Sequence, residues 1–108
     1  MAKLKYNDKE IDLIICNSFF KRFMGVMFKK KKINYALAFF KCNSIHTFFC
    51  KQAIDIIMTD NNNKIVYFKR NVLKNKIVFF KEAKNTFETP NNYFNDLKIG
   101  TYLKMEDL

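Results

Sequence analysis

Short apolar runs separated by polar breaks recur along this chain about every eight to twelve residues. The runs are rich in Ile, Val, Phe and Tyr, which favour the pleated geometry of β-strands. This pattern predicts strands at residues 12–16, 34–40, 45–50, 54–59, 64–69, 77–80, 83–87 and 99–103. Because strands outnumber helices, we expect a mostly β fold, α+β at the margin: a small antiparallel β-barrel or sandwich with one or two short helices.

Two segments combine features of short helices. Residues 19–28 place apolar side chains at helical spacing behind a polar pair that can cap a helix, and Gly25 limits this helix to one or two turns. The second helix is predicted to begin near Pro90, whose fixed φ suits a first helical turn, and to cover residues 93–97.

The clearest turn in the sequence is the polar quartet DNNN at residues 60–63. Asp and Asn tolerate positive φ and hydrogen-bond their own backbone, so they are favoured in tight turns. The apolar runs on both sides, 54–59 and 64–69, are therefore predicted to pair as an antiparallel hairpin.

The length of 108 residues corresponds to one domain with a modest core, and a hydrophobic content of 49% is sufficient to build that core. We predict a single domain over 1–108, with a polar N-terminal lead-in at 1–9 and a C-terminal tail at 104–108. No apolar run is long enough to span a membrane, and the N-terminus lacks the apolar stretch of a signal peptide. We therefore expect a cytoplasmic protein.

The strongly basic composition suggests a polyanionic partner, since the formal net charge is +10. Of the 20 basic residues, however, only Arg22 and Arg70 are arginines, and proteins that read nucleic-acid sequence favour Arg for its bidentate fork. Lys, Asn, Ile and Phe all have A/T-rich codons, so genome composition accounts for much of the charge. We therefore do not expect a nucleic-acid partner, and we interpret the lysines at 29–32 as a solvated loop.

Residues 42–60 concentrate the chemically distinctive side chains, namely the only His, two of the three Cys and two acids. In an extended strand Cys42, His46 and Cys50 would share one face, but residues four apart along a strand are roughly 13 Å from each other. Zinc requires ligands at about 2.0–2.3 Å, so we predict no metal site, and no motif predicts a cofactor. An odd number of cysteines without a secretion signal predicts reduced thiols rather than disulfides.

His46 and Asp55 are the candidates for acid–base chemistry, and each has two interpretations. His46 is either a histidine at the edge of the core, with one nitrogen bonded to backbone, or a catalytic acid or base. Asp55 lies in the apolar run AIDIIM. It is either exposed on its strand or held by hydrogen bonds at a cleft, because an unpaired buried carboxylate is costly.

Three segments of the sequence match the motifs of one protein family. Residues 22–27, RFMGVM, resemble its R-x-x-G-L-M signature; residues 44–60, SIHTFFCKQAIDIIMTD, resemble its central block; and residues 97–103, LKIGTYL, resemble its closing motif. The family is DUF192, a domain of unknown function, and the resemblance covers nearly the whole chain. Ala53 stands where the family usually has Pro, and Thr101 stands where it has Asp.

The resemblance implies a small, mostly β domain of bacteria and archaea, with no established activity, substrate or cofactor. The motif positions that it marks are Arg22, Gly25, His46, Thr47 and Asp55, which we take as a candidate cleft. We further expect Arg22 to pair with Asp55, because a desolvated carboxylate is stabilised by a bidentate guanidinium.

Our first hypothesis for the function is a non-catalytic binding or accessory module of the bacterial cytoplasm, whose partner is an unidentified protein or a small-molecule ligand. The second is a small enzyme that uses His46 and Asp55 as an acid–base pair. The third is a weak polyanion binder that uses its lysines, with an affinity that falls steeply with salt. The sequence makes no prediction of the oligomeric state.

Overall fold

The structure is a computed structural model that describes residues 2–18 and 29–107. Strands form the regular secondary structure of these ranges, and no helix occurs in them. The strands are β1 (Ala2–Tyr6), β2 (Lys9–Ile15), β3 (Tyr35–Phe40), β4 (Ser44–His46), β5 (Ile54–Thr59), β6 (Ile65–Val72), β7 (Ile77–Phe79), β8 (Asn85–Pro90) and β9 (Lys104–Asp107).

Seven of these strands form one large sheet in the order β6-β5-β8-β3-β2-β1-β9, and β4 and β7 form a small separate sheet. The prediction of a mostly β fold is confirmed, and the arrangement is sandwich-like rather than a closed barrel. Neighbouring strands are antiparallel except β2 and β3, which are parallel. This parallel pair was not predicted. The connection at 16–34 is longer than the dozen or so residues that a parallel crossover needs.

The central strands of the large sheet are buried on both faces, and each face carries its own hydrophobic core. On one face, alternate residues of β3 and β5 such as Leu37 and Ile56 share a core with Ile45 and Val78 of the small sheet. The other core combines strand residues with side chains from the segment after β8: Leu4, Tyr6, Ile11, Leu13, Ala36, Ala38, Ile57, Ile65, Phe87, Phe94, Leu97 and Leu103. Because β5 is covered on both sides, all its residues are buried, Asp55 among them.

The predicted hairpin is confirmed. β5 pairs antiparallel with β6. Asp60 closes the turn, because its side chain accepts hydrogen bonds from the backbone amides of Asn62 at 2.8 Å and Lys64 at 3.0 Å. Asn63 adopts a φ of 65°, the left-handed conformation that Asn tolerates better than most residues.

Both ends of the described chain form strands, although the sequence analysis placed none there. The segment 1–9, predicted as a polar lead-in, contains β1, in which Leu4 and Tyr6 are buried and lysines occupy alternate positions. The segment 104–108, predicted as a tail, contains β9, which pairs with β1 at the edge of the large sheet.

One predicted strand is shortened in the structure, and another is absent. The strand predicted at 45–50 is β4, which covers only Ser44–His46, because the backbone turns back at Phe49, whose φ is 62°. Cys50 therefore does not continue the face of His46, as the extended interpretation assumed. The strand predicted at 99–103 is wrong, since Gly100 forms a turn with a φ of 90°.

The predicted helices are not part of the described structure. The helix predicted near Pro90 is wrong, because Pro90 ends β8 and residues 91–96 form turns and bends instead. The helix predicted over 19–28 lies outside the residues that the structure describes.

Candidate functional site

The residues marked by the sequence motifs lie in two separate parts of the described structure. His46 ends β4 and Thr47 follows it, so both belong to the small sheet and its loops. Asp55 is the second residue of β5, in the large sheet. Arg22 and Gly25 lie outside the described residues.

Asp55 is buried, with 1% of its surface exposed, and its carboxylate accepts three hydrogen bonds. Oδ1 accepts from the amide of Asn71 at 2.9 Å, and Oδ2 accepts from the amide of Asn92 at 2.8 Å and from Nη1 of Arg70 at 3.2 Å. The second terminal nitrogen of Arg70 donates to the carbonyl of Asn95 at 3.0 Å. The interpretation of Asp55 as an exposed strand residue is therefore wrong, and the carboxylate is held by hydrogen bonds.

The carboxylate of Asp55 links β6 to the turn that follows β8. The β5–β6 register shifts beside Asp55, and at this shift Asn71, with a φ of 56°, directs its amide to the carboxylate. The ionic partner seen for Asp55 is Arg70, which the sequence analysis did not select. The predicted partner, Arg22, falls outside the described residues.

Thr47 is a buried residue that connects two loops by hydrogen bonds. Its side chain is buried; Oγ1 donates to the carbonyl of Leu73 at 2.6 Å and accepts from the amide of Lys76 at 2.8 Å. Its backbone carbonyl accepts from the amides of Cys50 and Asn75, each at 3.1 Å. Thr47 therefore ties the loop after β4 to the loop between β6 and β7.

The Thr47→Val variant should lose about 1–3 kcal/mol of stability, because it keeps the shape of the side chain and removes a buried donor and acceptor. The amide of Lys76, which donates to Oγ1, should then exchange hydrogen for deuterium faster. Thr47→Ser retains the hydroxyl and should keep the protection of Lys76. Unchanged exchange at Lys76 in the valine variant would contradict this role of the hydroxyl.

His46 is half-buried and contacts its own loop. Its Nδ1 accepts a hydrogen bond from the backbone amide of Phe48 at 3.1 Å, and the two rings stack with their centroids 5.0 Å apart. This geometry agrees with the interpretation of His46 as a histidine bonded to backbone at the edge of the core. His46 and Asp55 lie in different sheets, and the hydrogen bonds that Asp55 accepts within the described chain come from other residues.

An open groove of about 670 Å³ lies between the loops at 49–53 and 73–75. Its lining residues are Phe49, Cys50, Lys51, Gln52, Ala53, Leu73, Lys74 and Asn75. Phe49 and Leu73 are 60% and 53% exposed, so each presents apolar surface to solvent. Since Thr47 ties these two loops together, it also sets the separation of the groove walls.

Gln52 attaches a lysine-rich segment to one wall of the groove. Its Nε2 donates to the carbonyls of Lys29 at 3.0 Å and Lys31 at 2.8 Å, and its Oε1 accepts from the amide of Ile33 at 3.1 Å. The lysines at 29–32 are all exposed, which confirms the prediction of a solvated loop. The segment is nevertheless held in place beside the groove.

Glu88 is a buried acid that the sequence analysis did not single out. It pairs with Leu37 and Ile56 in the middle of the large sheet, so its side chain enters the core shared with the small sheet. It is 2% exposed, and within residues 2–18 and 29–107 its Oε1 has no hydrogen-bond partner. Burial raises the pKa of its carboxyl from 4.5 to about 8, so the group is mostly protonated at neutral pH.

Two other titratable groups share the interior with Glu88. Burial, together with the charge of Glu88, raises the pKa of the Cys50 thiol to about 11. Burial, with contributions from Cys16 and Glu88, also raises the pKa of Tyr35. Cys50 is therefore a neutral thiol at pH 7.

The sequence signal for Glu88 is a lone acid in the strand-like run TFETP, but our predicted strand ended one residue before it.

No group of three or more His, Cys, Asp or Glu side chains is placed to hold a metal ion within residues 2–18 and 29–107. None of the three cysteines forms a disulfide; Cys16 and Cys50 are buried and Cys42 is half-buried, so the prediction of thiols rather than disulfides is confirmed. In the same ranges no helix is long and apolar enough to cross a membrane.

The fold and the groove define a class of protein: a small β-sandwich of one large mixed sheet and one small sheet, with a groove between two loops. Comparison with family models identifies the family. The model of DUF192, described as Uncharacterized ACR, COG1430, matches residues 2–106. The chain belongs to this family, as its motifs had indicated.

Two relatives of this chain are UPF0127 proteins. The chain is 44% identical over 62 residues to the UPF0127 protein of Thermococcus sibiricus, across 52% of this chain and 40% of that protein. It is 43% identical over 63 residues to the UPF0127 protein PH1112 of Pyrococcus horikoshii, across 53% of each chain. The chain thus spans about half the length of the curated relatives it matches. Both organisms are archaea, so the bacterial origin stays a prediction.

A solved structure supports the fold independently of sequence. The chain is similar to the crystal structure of a protein of unknown function from Novosphingobium aromaticivorans, with a TM-score of 0.78 and 10% identity. The match covers 95% of this chain and 82% of that one. At this identity the likeness concerns the fold alone.

Proposed function

We propose that the protein is a non-catalytic binding module of the cytoplasm and that its ligand occupies the groove between the loops at 49–53 and 73–75. The apolar lining of the groove supports this proposal, since Phe49 and Leu73 both expose more than half of their surface there. Exposed apolar side chains that line one concavity are typical of binding sites. The volume of about 670 Å³ lies within the range of small-molecule sites, roughly 300–1,000 Å³.

Two of the motif residues, His46 and Thr47, fit a supporting role for this groove. Thr47 fixes the two loops relative to each other, and His46 stacks on Phe48, the neighbour of Phe49. A further exposed apolar side chain, Ile77, pairs with His46 across the small sheet and extends the apolar surface next to the groove. His46 and Thr47 would thus hold the binding surface in shape.

The polar groups of the region favour binding over catalysis. Asp55 already accepts three hydrogen bonds, and Nδ1 of His46 accepts one from backbone. Cys50 lines the groove, but the pKa of its thiol, raised to about 11, leaves almost no thiolate to act as a nucleophile at neutral pH. These properties support a groove that binds a ligand rather than one that catalyses a reaction.

Mapping by NMR with a library of uncharged aromatic fragments tests this proposal. We expect the amide shift changes to cluster at residues 49–53 and 73–75. Leu73→Asp should weaken the strongest fragment about tenfold or more, because it places a charge on an apolar wall. Ile99→Asp changes a side chain that is 60% exposed and does not line the groove, so it should leave fragment binding unchanged.

Two results would contradict the proposal. Shift changes centred on another surface would assign the ligand site elsewhere. Equal weakening by Leu73→Asp and Ile99→Asp would show that the fragments respond to charge or to unfolding rather than to the groove. Circular dichroism and thermal unfolding of both variants exclude a loss of fold as the cause.

A further inference from the structure

The groove combines its apolar walls with charge of one sign. Its described lining includes Lys51 and Lys74 and no acidic residue, and Lys76 is exposed just beyond it. The lysines at 29–32 add further positive charge, because the hydrogen bonds of Gln52 hold their segment beside the same wall. The arrangement therefore combines apolar walls with basic side chains around them.

We infer that the groove binds an acidic peptide segment of a partner protein, in which an apolar side chain is flanked by carboxylates. The inference rests on the proposed function and adds the chemistry of the ligand. The apolar side chain would lie between Phe49 and Leu73, while the carboxylates would face Lys51, Lys74 and the lysines at 29–32. Charge complementarity of this kind speeds association and selects partners more than it raises affinity.

A peptide satisfies these features better than a nucleic acid or a membrane surface. Nucleic acids provide phosphates but no aliphatic side chain to bury against Leu73, and no arginine lines the described groove for bidentate phosphate or base contacts. A membrane requires apolar side chains that reach the acyl boundary of the bilayer. Phe49 and Leu73 instead line a concavity.

Fluorescence polarisation with three labelled peptides tests the inference. The first peptide places Asp and Glu on both sides of a Phe-Leu pair, the second replaces each acid by its amide, and the third keeps the acids but replaces Phe-Leu by Gly-Ser. We expect the first peptide to bind about tenfold or more tightly than either of the others at 50 mM salt. Its affinity should fall about tenfold at 300 mM salt, because exposed ion pairs are screened.

Variants of the lysines identify the surface that the acidic peptide uses. Lys51→Gln combined with Lys74→Gln should remove most of the preference for the acidic peptide over its amide analogue. Lys98→Gln combined with Lys104→Gln removes the same charge at exposed lysines that do not line the groove, and it should keep the preference.

The outcomes separate this inference from the proposed function. Equal binding of the acidic and amide peptides, abolished by Leu73→Asp, would overturn the inference and leave the groove as a binding site. Binding of none of the peptides would also overturn it, and the fragment mapping then tests the groove by itself. The protein could instead bind an oligothymidylate or phosphatidylserine vesicles more tightly than the acidic peptide, and lose that binding when Lys51 and Lys74 are both replaced by Gln. This result would overturn the inference of a peptide ligand in favour of that polyanion.

Discussion

The Glu88→Gln variant should be more stable than the unchanged protein at pH 9, by roughly 3–5 kcal/mol, and the two should differ little at pH 5. Glu88 is 2% exposed and its Oε1 meets no hydrogen-bond partner in the part of the chain that the structure describes, so ionising the carboxyl in the folded protein is unfavourable. Burial accordingly raises the pKa of this carboxyl from 4.5 to about 8. Glutamine has nearly the same shape and does not ionise.

The direction of the effect follows from the protons that the two states bind. Between pH 4.5 and about 8, the folded protein keeps a proton on Glu88 that the unfolded chain has released. The state that binds more protons becomes less stable as the pH rises, so the folded protein loses stability through this interval. Above about pH 8 both states are ionised and the loss is complete.

Urea unfolding of the two proteins at intervals from pH 5 to pH 9 measures this difference. Glu82→Gln is the matched control, because Glu82 is exposed, and it should leave the dependence of stability on pH unchanged. Parallel stability curves for Glu88→Gln and the unchanged protein would show that Glu88 ionises without penalty, contrary to the prediction.

The Asp55→Ala variant should lose about 3–5 kcal/mol of stability. The substitution leaves the amides of Asn71 and Asn92 without their acceptor and removes the ionic partner of Arg70. Arg70→Ala should cost less, about 2 kcal/mol, because Asp55 would keep both amide hydrogen bonds. The side chain of Arg70 is also 29% exposed, so water already replaces part of its environment.

Chemical unfolding at a fixed pH of 7 measures these losses, and Asp12→Ala provides the control. The carboxylate of Asp12 pairs with Lys3 on the surface, where it is 42% exposed, so its removal should cost about 0–1 kcal/mol. If Asp55→Ala and Asp12→Ala lowered stability equally, the hydrogen bonds of Asp55 would not be holding β6 to the turn after β8.

Elements built from neighbouring residues were predictable from the sequence. The β5–β6 hairpin follows from two apolar runs around a turn of Asp and Asn, and it is confirmed. The predicted strands at 12–16, 34–40 and 77–80 likewise overlap β2, β3 and β7. In each case the features that determine the element lie within one short stretch of chain. These features are the spacing of the apolar side chains and the presence of residues that favour turns.

Elements that depend on distant partners were not predictable in this way. The segment KMED of β9 has no strand-like pattern and is a strand because it pairs with β1. The lysines of β1 concealed the alternation of Leu4 and Tyr6. The parallel orientation of β2 and β3 depends on the path of the long connection between them, which local pattern does not encode.

The motifs identified residues of structural importance without identifying their contacts. Thr47 and Asp55 both prove to be buried hydrogen-bonded residues, but their partners lie in later segments of the chain. Glu88 was missed because the predicted strand ended at residue 87 and because acidic residues usually face solvent. Its burial follows from having β3 on one side and β5 on the other, which only the sheet order reveals.

The central position of β8 has a consequence for the order of folding. The β1–β2 and β5–β6 hairpins close short loops and can form rapidly, whereas Glu88 must meet Leu37 and Ile56 across long stretches of chain. We therefore expect β8 to pair with its two neighbours later than the two hairpins form. Because Glu88 becomes buried between β3 and β5 only when β8 pairs with both strands, we expect its carboxyl to take up a proton in that step at neutral pH.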